Sequence, residues 1–302
     1  MAHSPLQGSP LGSAPLSGAR DIRQDMRWGR RPLVIIRWLL VAGLFALAAY
    51  LYPGLPEHIP THWNLEGQAD QFSPKTYGTW LIPGITLVMA ILFPVFQRFD
   101  PKSANYAEFL HAWDVLQTAI VAFMAYIFCI TMLATLDPAQ SPLVGRYVVF
   151  GVGALFVVIG NYMGKIRQNW FVGLRTPWTL SDPETWNRSQ RFGGWTFVLG
   201  GLAVMGEAFF WFHPGWVFFS ILLLITLLPI AYSFLIFPRT NALATRGGKK
   251  SFLLLIVFCA AVAFAVAVGL RLLSSEDDWL CNNGQWIKHG NPQVPQPTVP
   301  CL

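Results

Sequence analysis

Residues that could bind a metal ion cluster in one segment of the first quarter of the chain. His58 and His62 lie four residues apart. Three carboxylates flank them: Glu57, Glu66 and Asp70. Imidazole and carboxylate groups are zinc ligands, so one interpretation is a divalent-metal site. Pro60 opposes the regular helix that would put both histidines on one face. The alternative is an ordered segment in which His62 and Trp63 hydrogen-bond locally.

The same segment also suits a peptide ligand. Pro60 stiffens the backbone, and Gly67 permits a turn. His62 and Trp63, together with Phe72, offer aromatic anchors. The candidate ligand- or partner-binding residues of this segment are Pro60, His62, Trp63, Gly67 and Asp70.

A second polar segment, in the middle of the chain, favours structure or partner binding over catalysis. Ser181 with Glu184 three residues later forms a capping box, which predicts a short helix over 182–191. Trp186 is expected at the membrane interface. Asp182 and Glu184 are both accounted for by capping, and the chain has no Ser/His/Asp, Cys/His or HExxH arrangement. We therefore expect no enzyme activity and no cofactor. The candidate residues are Asn161, Asn169, Gly173, Arg175, Thr176, Pro177, Trp178 and Arg191.

Composition indicates that membrane helices position both segments. Hydrophobic residues make up 54% of the 302 residues and charged residues 12%, whereas a soluble protein carries about 25% charged residues. The mean hydropathy is +0.44. A membrane-spanning helix needs about 20 mostly apolar residues. Seven stretches qualify or nearly qualify, which predicts an all-α, polytopic helical membrane protein: 33–52, 79–96, 112–136, 147–163, 195–212, 216–237 and 252–273.

The distribution of basic residues predicts the orientation. Of the 21 Lys and Arg residues, 17 fall on one side: six at the N-terminus, two in the second connection, five in the fourth and four in the sixth. One of the six, Arg37, lies at the start of the first span and is expected to snorkel out of it. Cytoplasmic segments carry the excess of Lys and Arg. We therefore expect an N-in/C-out protein of the bacterial inner membrane, and no nucleic-acid partner. The bilayer itself is the expected partner.

Some residues within the predicted spans are candidates for function or close packing. An ionisable residue inside a membrane is costly, so Glu207 in the fifth span is a functional candidate unless it faces water. Gly151, Gly153 and the pair Gly160 and Gly164 are expected to permit close helix packing.

The ends of the chain differ from its middle. Residues 1–31 are rich in Ser, Pro and Gly and read as a disordered cytoplasmic extension, and 238–273 holds the additional helix. In the Pro-rich tail, 274–302, Cys281 and Cys301 are expected to form a disulfide outside the cell. Reduced thiols or pairing between chains are the alternatives, and a zinc site with His289 lacks a fourth ligand.

Two sequence patterns carry a resemblance to a known family. The first runs Leu-Pro-Glu-His-Ile-Pro-Thr-His-Trp from Leu55, with Gly67, Asp70 and Lys75 after it. The second runs Gly-Asn-Tyr-Met-Gly-Lys from Gly160 and resumes at Asn169 as Asn-Trp-Phe-Val-Gly-Leu-Arg-Thr-Pro-Trp-Thr-Leu. The chain resembles the SdpI family of bacterial membrane proteins. Residues 32–136 resemble its N-terminal domain of unknown function, and 137–237 resemble its SdpI-type region. The seventh span and the tail depart from the usual six-span plan.

The resemblance implies immunity to a secreted antimicrobial peptide, or sensing of it. It further implies that such a peptide is met outside the cell and a transcriptional repressor inside. A rival hypothesis is a small-solute or ion transporter, suggested by Glu207 and by the prolines of the second span. A metal-dependent membrane enzyme rests on His58 and His62 alone.

Overall fold

The computed structural model describes residues 17–64, 69–210, 216–240, 279–282 and 285–288. Its helices are α1 (Ser17–Leu51), α2 (Lys75–Phe99), α3 (Leu110–Leu136), α4 (Val144–Met163), α5 (Pro177–Ser181), α6 (Pro183–Phe210) and α7 (Trp216–Thr240). Six of these helices, all but the short α5, are long and apolar enough to cross a membrane. They coincide with the first six predicted spans and confirm an all-α, multi-pass membrane fold. The seventh span, 252–273, lies outside the described residues, and the N-in/C-out orientation stays a prediction.

Helix α1 begins earlier than the sequence predicts. It starts at Ser17, inside the segment 1–31 for which disorder is predicted. The Ser, Pro and Gly residues behind that prediction concentrate before residue 17, whereas residues 17–31 include five Arg together with one Ala, one Gln and one Met. These residue types have good helix propensity. Adding residues to an existing helix costs far less free energy than nucleating one, so the helix of the first span extends towards the N-terminus.

The first three membrane helices pack around two apolar clusters. One cluster joins Leu44 and Ala48 of α1 to Phe128 and Met132 of α3. The other joins α1, α2 and α3 through Val41, Ala90 and Val121. The interior is apolar, as in a soluble helix bundle. Unlike in a soluble bundle, large apolar side chains are also exposed on the outer surface.

Glycines bring α4 and α6 into close contact. A Cβ built on Gly153 would lie 2.7 Å from the carbonyl oxygen of Gly201, and one on Gly160 would lie 2.6 Å from that of Gly194. Real Cβ atoms do not approach so closely, so only glycine fits at these positions. The packing role predicted for Gly153 and Gly160 is confirmed. Gly164 differs, because its Cβ would be in ordinary contact, 3.6 Å from Cα of Arg191.

A β-hairpin interrupts the helices between α1 and α2, where the sequence indicates only an ordered segment. Strand β1 (His58–Trp63) pairs antiparallel with β2 (Ala69–Pro74). An isolated two-stranded hairpin is marginally stable in water. This hairpin is held by Ile59, which is fully buried in the cluster formed by α1 and α3. Trp63 packs against Ile130, Ala134 and Val144.

The tail forms a separate unit, 241–302, of which two strands are described. Strand β3 (Trp279–Asn282) pairs antiparallel with β4 (Gln285–Lys288), and Cys281 lies opposite Trp286. Cys301 lies outside the described residues, as does the side chain of Cys281. The predicted disulfide therefore stays a prediction.

Candidate functional site

The hairpin and the second polar segment lie at opposite ends of α2. Strand β2 leads directly into α2 at Lys75. At the other end of the helix, the ring of Phe96 stacks on that of Phe171, with centroids 5.1 Å apart. A helix of 25 residues spans about 37 Å at 1.5 Å per residue. We call the first end the hairpin end and the second the motif end. The motif loop is residues 164–182.

At the hairpin end, the two polar candidates that the structure brings together are His62 and Asp70. His62 Nδ1 lies 2.6 Å from Asp70 Oδ1, and the two side chains are 57% and 37% exposed. Trp63 donates its indole N–H to Ser141 Oγ at 3.2 Å. The contact of His62 is local, as the second interpretation of the segment expects, whereas the partner of Trp63 lies 78 residues further along the chain. In the described part of the chain, no group of three or more His, Cys, Asp or Glu residues could hold a metal ion.

The surface around this pair is partly apolar. Pro60 is buried opposite Phe72, while the ring of Phe72 is 58% exposed. His58 is also exposed, at the start of β1. Gly67 lies outside the described residues. The hairpin thus presents His62, Asp70 and Phe72 on one small, solvent-accessible element.

In the motif loop, Asn169 organises the backbone of its own turn. It is fully buried. Its Oδ1 accepts hydrogen bonds from Phe171 N at 2.9 Å and from Val172 N at 2.7 Å. Its amide group donates to the carbonyl oxygens of Arg167 at 2.8 Å and Val172 at 3.0 Å. All of these partners are backbone atoms, so Asn169 shapes the loop.

Gly173 permits the backbone turn that follows Asn169 in the motif loop. Its φ is 101°, in a region that side-chain-bearing residues rarely adopt. A Cβ there would also lie 2.8 Å from Oε1 of Gln190. Gln190, on α6, accepts a hydrogen bond from Leu174 N and donates one to Leu174 O, both at 3.1 Å. Gln190 is a structural residue that the sequence patterns do not single out.

The helix caps differ from those predicted. Thr176 and Thr179 form a capping box that starts α5, with Pro177 as the first helical residue. Asp182 then starts α6, because its Oδ2 accepts a hydrogen bond from Thr185 N at 2.7 Å. The predicted box of Ser181 and Glu184 is therefore wrong. The short helix predicted over 182–191 is instead the beginning of α6, which continues through the membrane because no breaker follows.

Two tryptophans tie the motif loop to the helices. Trp178 donates its indole N–H to Ser233 Oγ of α7 at 2.7 Å. Trp186, expected at the interface, is fully buried and donates to Ile166 O at 2.9 Å. The expectation for Trp186 is wrong because a carbonyl from the motif loop satisfies its N–H inside the protein. A buried Trp is stable when its N–H has such a partner.

Asp100 connects the motif loop to the N-terminal half of the chain. Its Oδ2 accepts hydrogen bonds from Tyr106 OH and Trp170 N, both at 2.9 Å, and its Oδ1 accepts one from Lys102 N at 2.7 Å. The pKa of Tyr106 is raised well above its ordinary value. Burial is the larger cause, and the hydrogen bond to Asp100 is the second. The phenol therefore stays a hydrogen-bond donor. Only the position of Asp100 directly after the second span could have indicated this role.

Four of the candidate motif residues are exposed: Asn161, Arg175, Pro177 and Arg191. Arg175 donates to the carbonyl oxygen of Trp170. The side chains of Asn161 and Arg191 are exposed, and they make no hydrogen bond or ion pair with the described residues. The motif therefore divides into residues that build the loop and residues that are accessible to a partner.

Polar groups inside the membrane helices form two further sites. Arg37, expected to reach out of the first span, is only 3% exposed and donates to Oε1 of Gln117 on α3. That expectation is wrong because a polar partner is available inside the bundle. Asp114, one turn before Gln117, is 1% exposed. Glu207 is 4% exposed, and neither of its carboxyl oxygens has a hydrogen-bond partner among the described residues.

Two models of known protein families match separate regions of the chain. A model of the SdpI/YfhL protein family matches residues 165–233. A second model, for a domain of unknown function named DUF1648, matches residues 39–87. The chain thus carries a region of the SdpI/YfhL type, residues 165–233. The immunity protein SdpI of Bacillus subtilis (strain 168) is 28% identical to it over 176 residues, which cover 58% of this chain and 81% of that protein. No solved structure matches the chain.

The two matched regions correspond to the two candidate surfaces. The SdpI/YfhL match begins in the motif loop and ends at Ser233, the partner of Trp178. The DUF1648 match contains the whole hairpin, β1 and β2. Asn161 precedes the SdpI/YfhL match. Asp100 lies after the DUF1648 match, and it accepts a hydrogen bond from Trp170 N, inside the SdpI/YfhL match. It therefore connects the segment that follows the first region to the second region.

Proposed function

We propose that this protein is a membrane immunity protein of SdpI type, which protects its cell against a membrane-active antimicrobial peptide or senses that peptide. The observation that carries the proposal is the match to a protein named for immunity, over 81% of that protein's length. Enzyme activity is not part of the proposal. The motif loop and the start of α6 support this, because Asn169, Gln190 and Asp182 all hydrogen-bond to backbone atoms that shape the loop and the helix start.

The hairpin is the surface proposed to meet the peptide. It presents the exposed ring of Phe72 beside the hydrogen-bonded pair of His62 and Asp70. Aromatic groups next to polar ones are typical of binding surfaces. Its attachment through buried Ile59 gives it a fixed position above the membrane helices. The distribution of basic residues supports a hairpin outside the cell and a motif end in the cytoplasm, in the inner membrane.

The motif end is the surface proposed to carry the signal inwards. Arg191 and Asn161 are exposed there. In this proposal a transcriptional repressor is held at these residues when the peptide is present. Asp100 supports communication, since its hydrogen bonds link the motif loop to the end of the second span.

A deletion strain tests the proposal. Growth is measured in the small-peptide fraction of medium conditioned by the parent strain, with and without the gene. We expect the deletion strain to be inhibited and the wild-type gene to restore growth. Phe72→Ala should raise sensitivity about tenfold, the effect of losing roughly 1.4 kcal/mol of binding free energy.

Phe209→Ala is the matched control for this test, because it removes the same side chain from α6, outside the hairpin. The ring of Phe209 is also exposed, so its loss should leave full protection. If the deletion strain grows as well as its parent in every fraction, the immunity proposal is wrong.

Glu207 supports a second candidate function, ion or solute transport. A buried carboxyl group without a hydrogen-bond partner among the described residues is expensive in a membrane and often marks an ion pathway. We expect a proton flux into proteoliposomes, followed by an internal pH-sensitive dye, that Glu207→Gln abolishes. A wild-type flux no greater than that of protein-free liposomes contradicts this candidate.

A further inference from the structure

The cations at the motif end fall into two groups. Arg167 lies 2.9 Å from Glu108, and Arg188 lies 2.5 Å from Glu184. Arg98 and Arg175 are exposed too, yet neither makes an ion pair with a described carboxylate. Asp100, two residues after Arg98, is buried and already accepts three hydrogen bonds. Arg98 and Arg175 therefore carry positive charge that the described part of the protein does not neutralise.

Two exposed aromatic rings lie beside these arginines. Phe99, next to Arg98, is 76% exposed, and Trp170 is 51% exposed. The contacts hold the four residues in one patch, because Asp100 accepts a hydrogen bond from Trp170 N at 2.9 Å. Arg175 in turn donates to Trp170 O. We call Arg98, Phe99, Trp170 and Arg175 the aromatic–arginine patch.

The patch adjoins the end of a helix that is long and apolar enough to cross a membrane, so it is expected where the membrane meets water. Phe99 is the last residue of α2, which crosses the membrane. Aromatic rings at this level contact the glycerol and upper acyl region of the lipids. Guanidinium groups match the geometry of a phosphate group and bind it through paired hydrogen bonds.

We propose that the aromatic–arginine patch binds the phosphate group of an anionic phospholipid. The arginines contact the headgroup, while Phe99 and Trp170 contact the adjoining carbon chains. An anionic lipid accounts for both features of the patch, since it brings negative charge and apolar surface to the same place. A soluble acidic protein would supply the charge but would leave the rings against the membrane unused.

The proposal is tested on the purified full-length protein in detergent. Short-chain phosphatidylglycerol is titrated, and the shift of the thermal unfolding midpoint is fitted to an apparent Kd. Phosphatidylcholine, inorganic phosphate and polyglutamate are titrated in parallel. We expect a saturable shift with phosphatidylglycerol and none of comparable size with the other three. Arg98→Gln should weaken the apparent Kd about tenfold.

Arg188→Gln is the matched control, because it removes the same charge from the same end of the molecule. Arg188 is already paired with Glu184, so lipid affinity should not change. Arg98 makes no ion pair with a described residue, so its substitution should leave the folded state intact. Equal losses in the two variants would show that only overall charge matters and would overturn the proposal. Stronger binding of polyglutamate, or equal binding of phosphatidylcholine or free phosphate, would also overturn it.

Discussion

Gly201→Ala is expected to destabilise the protein by about 2 kcal/mol or more, although alanine is the better helix former. The new methyl carbon would lie 2.6 Å from the carbonyl oxygen of Gly153 and 2.9 Å from the backbone nitrogen of Val157. Both are backbone atoms of α4, so no side chain can turn away. The two helices must move apart, and this loses the contacts made by Gly160 and Gly194 as well.

Gly206→Ala is the matched control, because it adds the same methyl group to the same helix. No atom lies within 4 Å of a Cβ at Gly206. It should therefore be neutral or raise stability by up to about 1 kcal/mol, the difference in helix propensity. Thermal unfolding in detergent compares the two variants. If Gly201→Ala melts at the same temperature as Gly206→Ala, the close contact of α4 and α6 is wrong.

Arg37→Ala is expected to destabilise the protein by about 3 kcal/mol. Arg37 donates to Gln117, which is 2% exposed, so truncation leaves a buried amide oxygen without that donor. Asp114 lies one turn away on α3 and is also buried. Inside a membrane helix bundle, no water replaces a lost hydrogen bond. The loss should separate α1 from α3 and lower the yield of folded protein.

Arg188→Ala serves as the control for the loss of an arginine. It breaks an exposed i,i+4 pair with Glu184, which is worth only about 0.5 kcal/mol. A second variant tests the mechanism, since Gln117→Leu added to Arg37→Ala removes the orphaned group and should recover part of the stability. The prediction is wrong if Arg37→Ala alone leaves the thermal unfolding temperature unchanged and the added Gln117→Leu does not raise it. The buried contact would then not stabilise the protein.

Much of the architecture could be predicted because hydrophobic length is a local property. Six predicted spans coincide with helices of the structure, since each needs only a continuous apolar run to become a membrane helix. The similarity to the SdpI/YfhL family could also be predicted, because the two motifs are continuous in sequence. The pairing of His62 with Asp70 could not be predicted, because the histidine and carboxylate pattern also suits a metal.

The hairpin could not be predicted as such. Its strands contain Pro60 and Pro74 and show no clear alternation of apolar and polar residues. It is stable because Ile59 enters a cluster supplied by residues far along the chain, among them Phe128 and Met132. No pattern within the segment reports those neighbours.

The sequence by itself determined that this is a multi-pass helical membrane protein with a region similar to the SdpI/YfhL family, and which two segments carry its polar residues. Only the tertiary structure decided how those polar residues are used. Trp186 and Arg37 both look like interface residues from their types and positions, yet both are buried. The reason is that the cost of burying a polar group depends on its partner. For these two the partners are Ile166 and Gln117, which only the packed helices bring within reach.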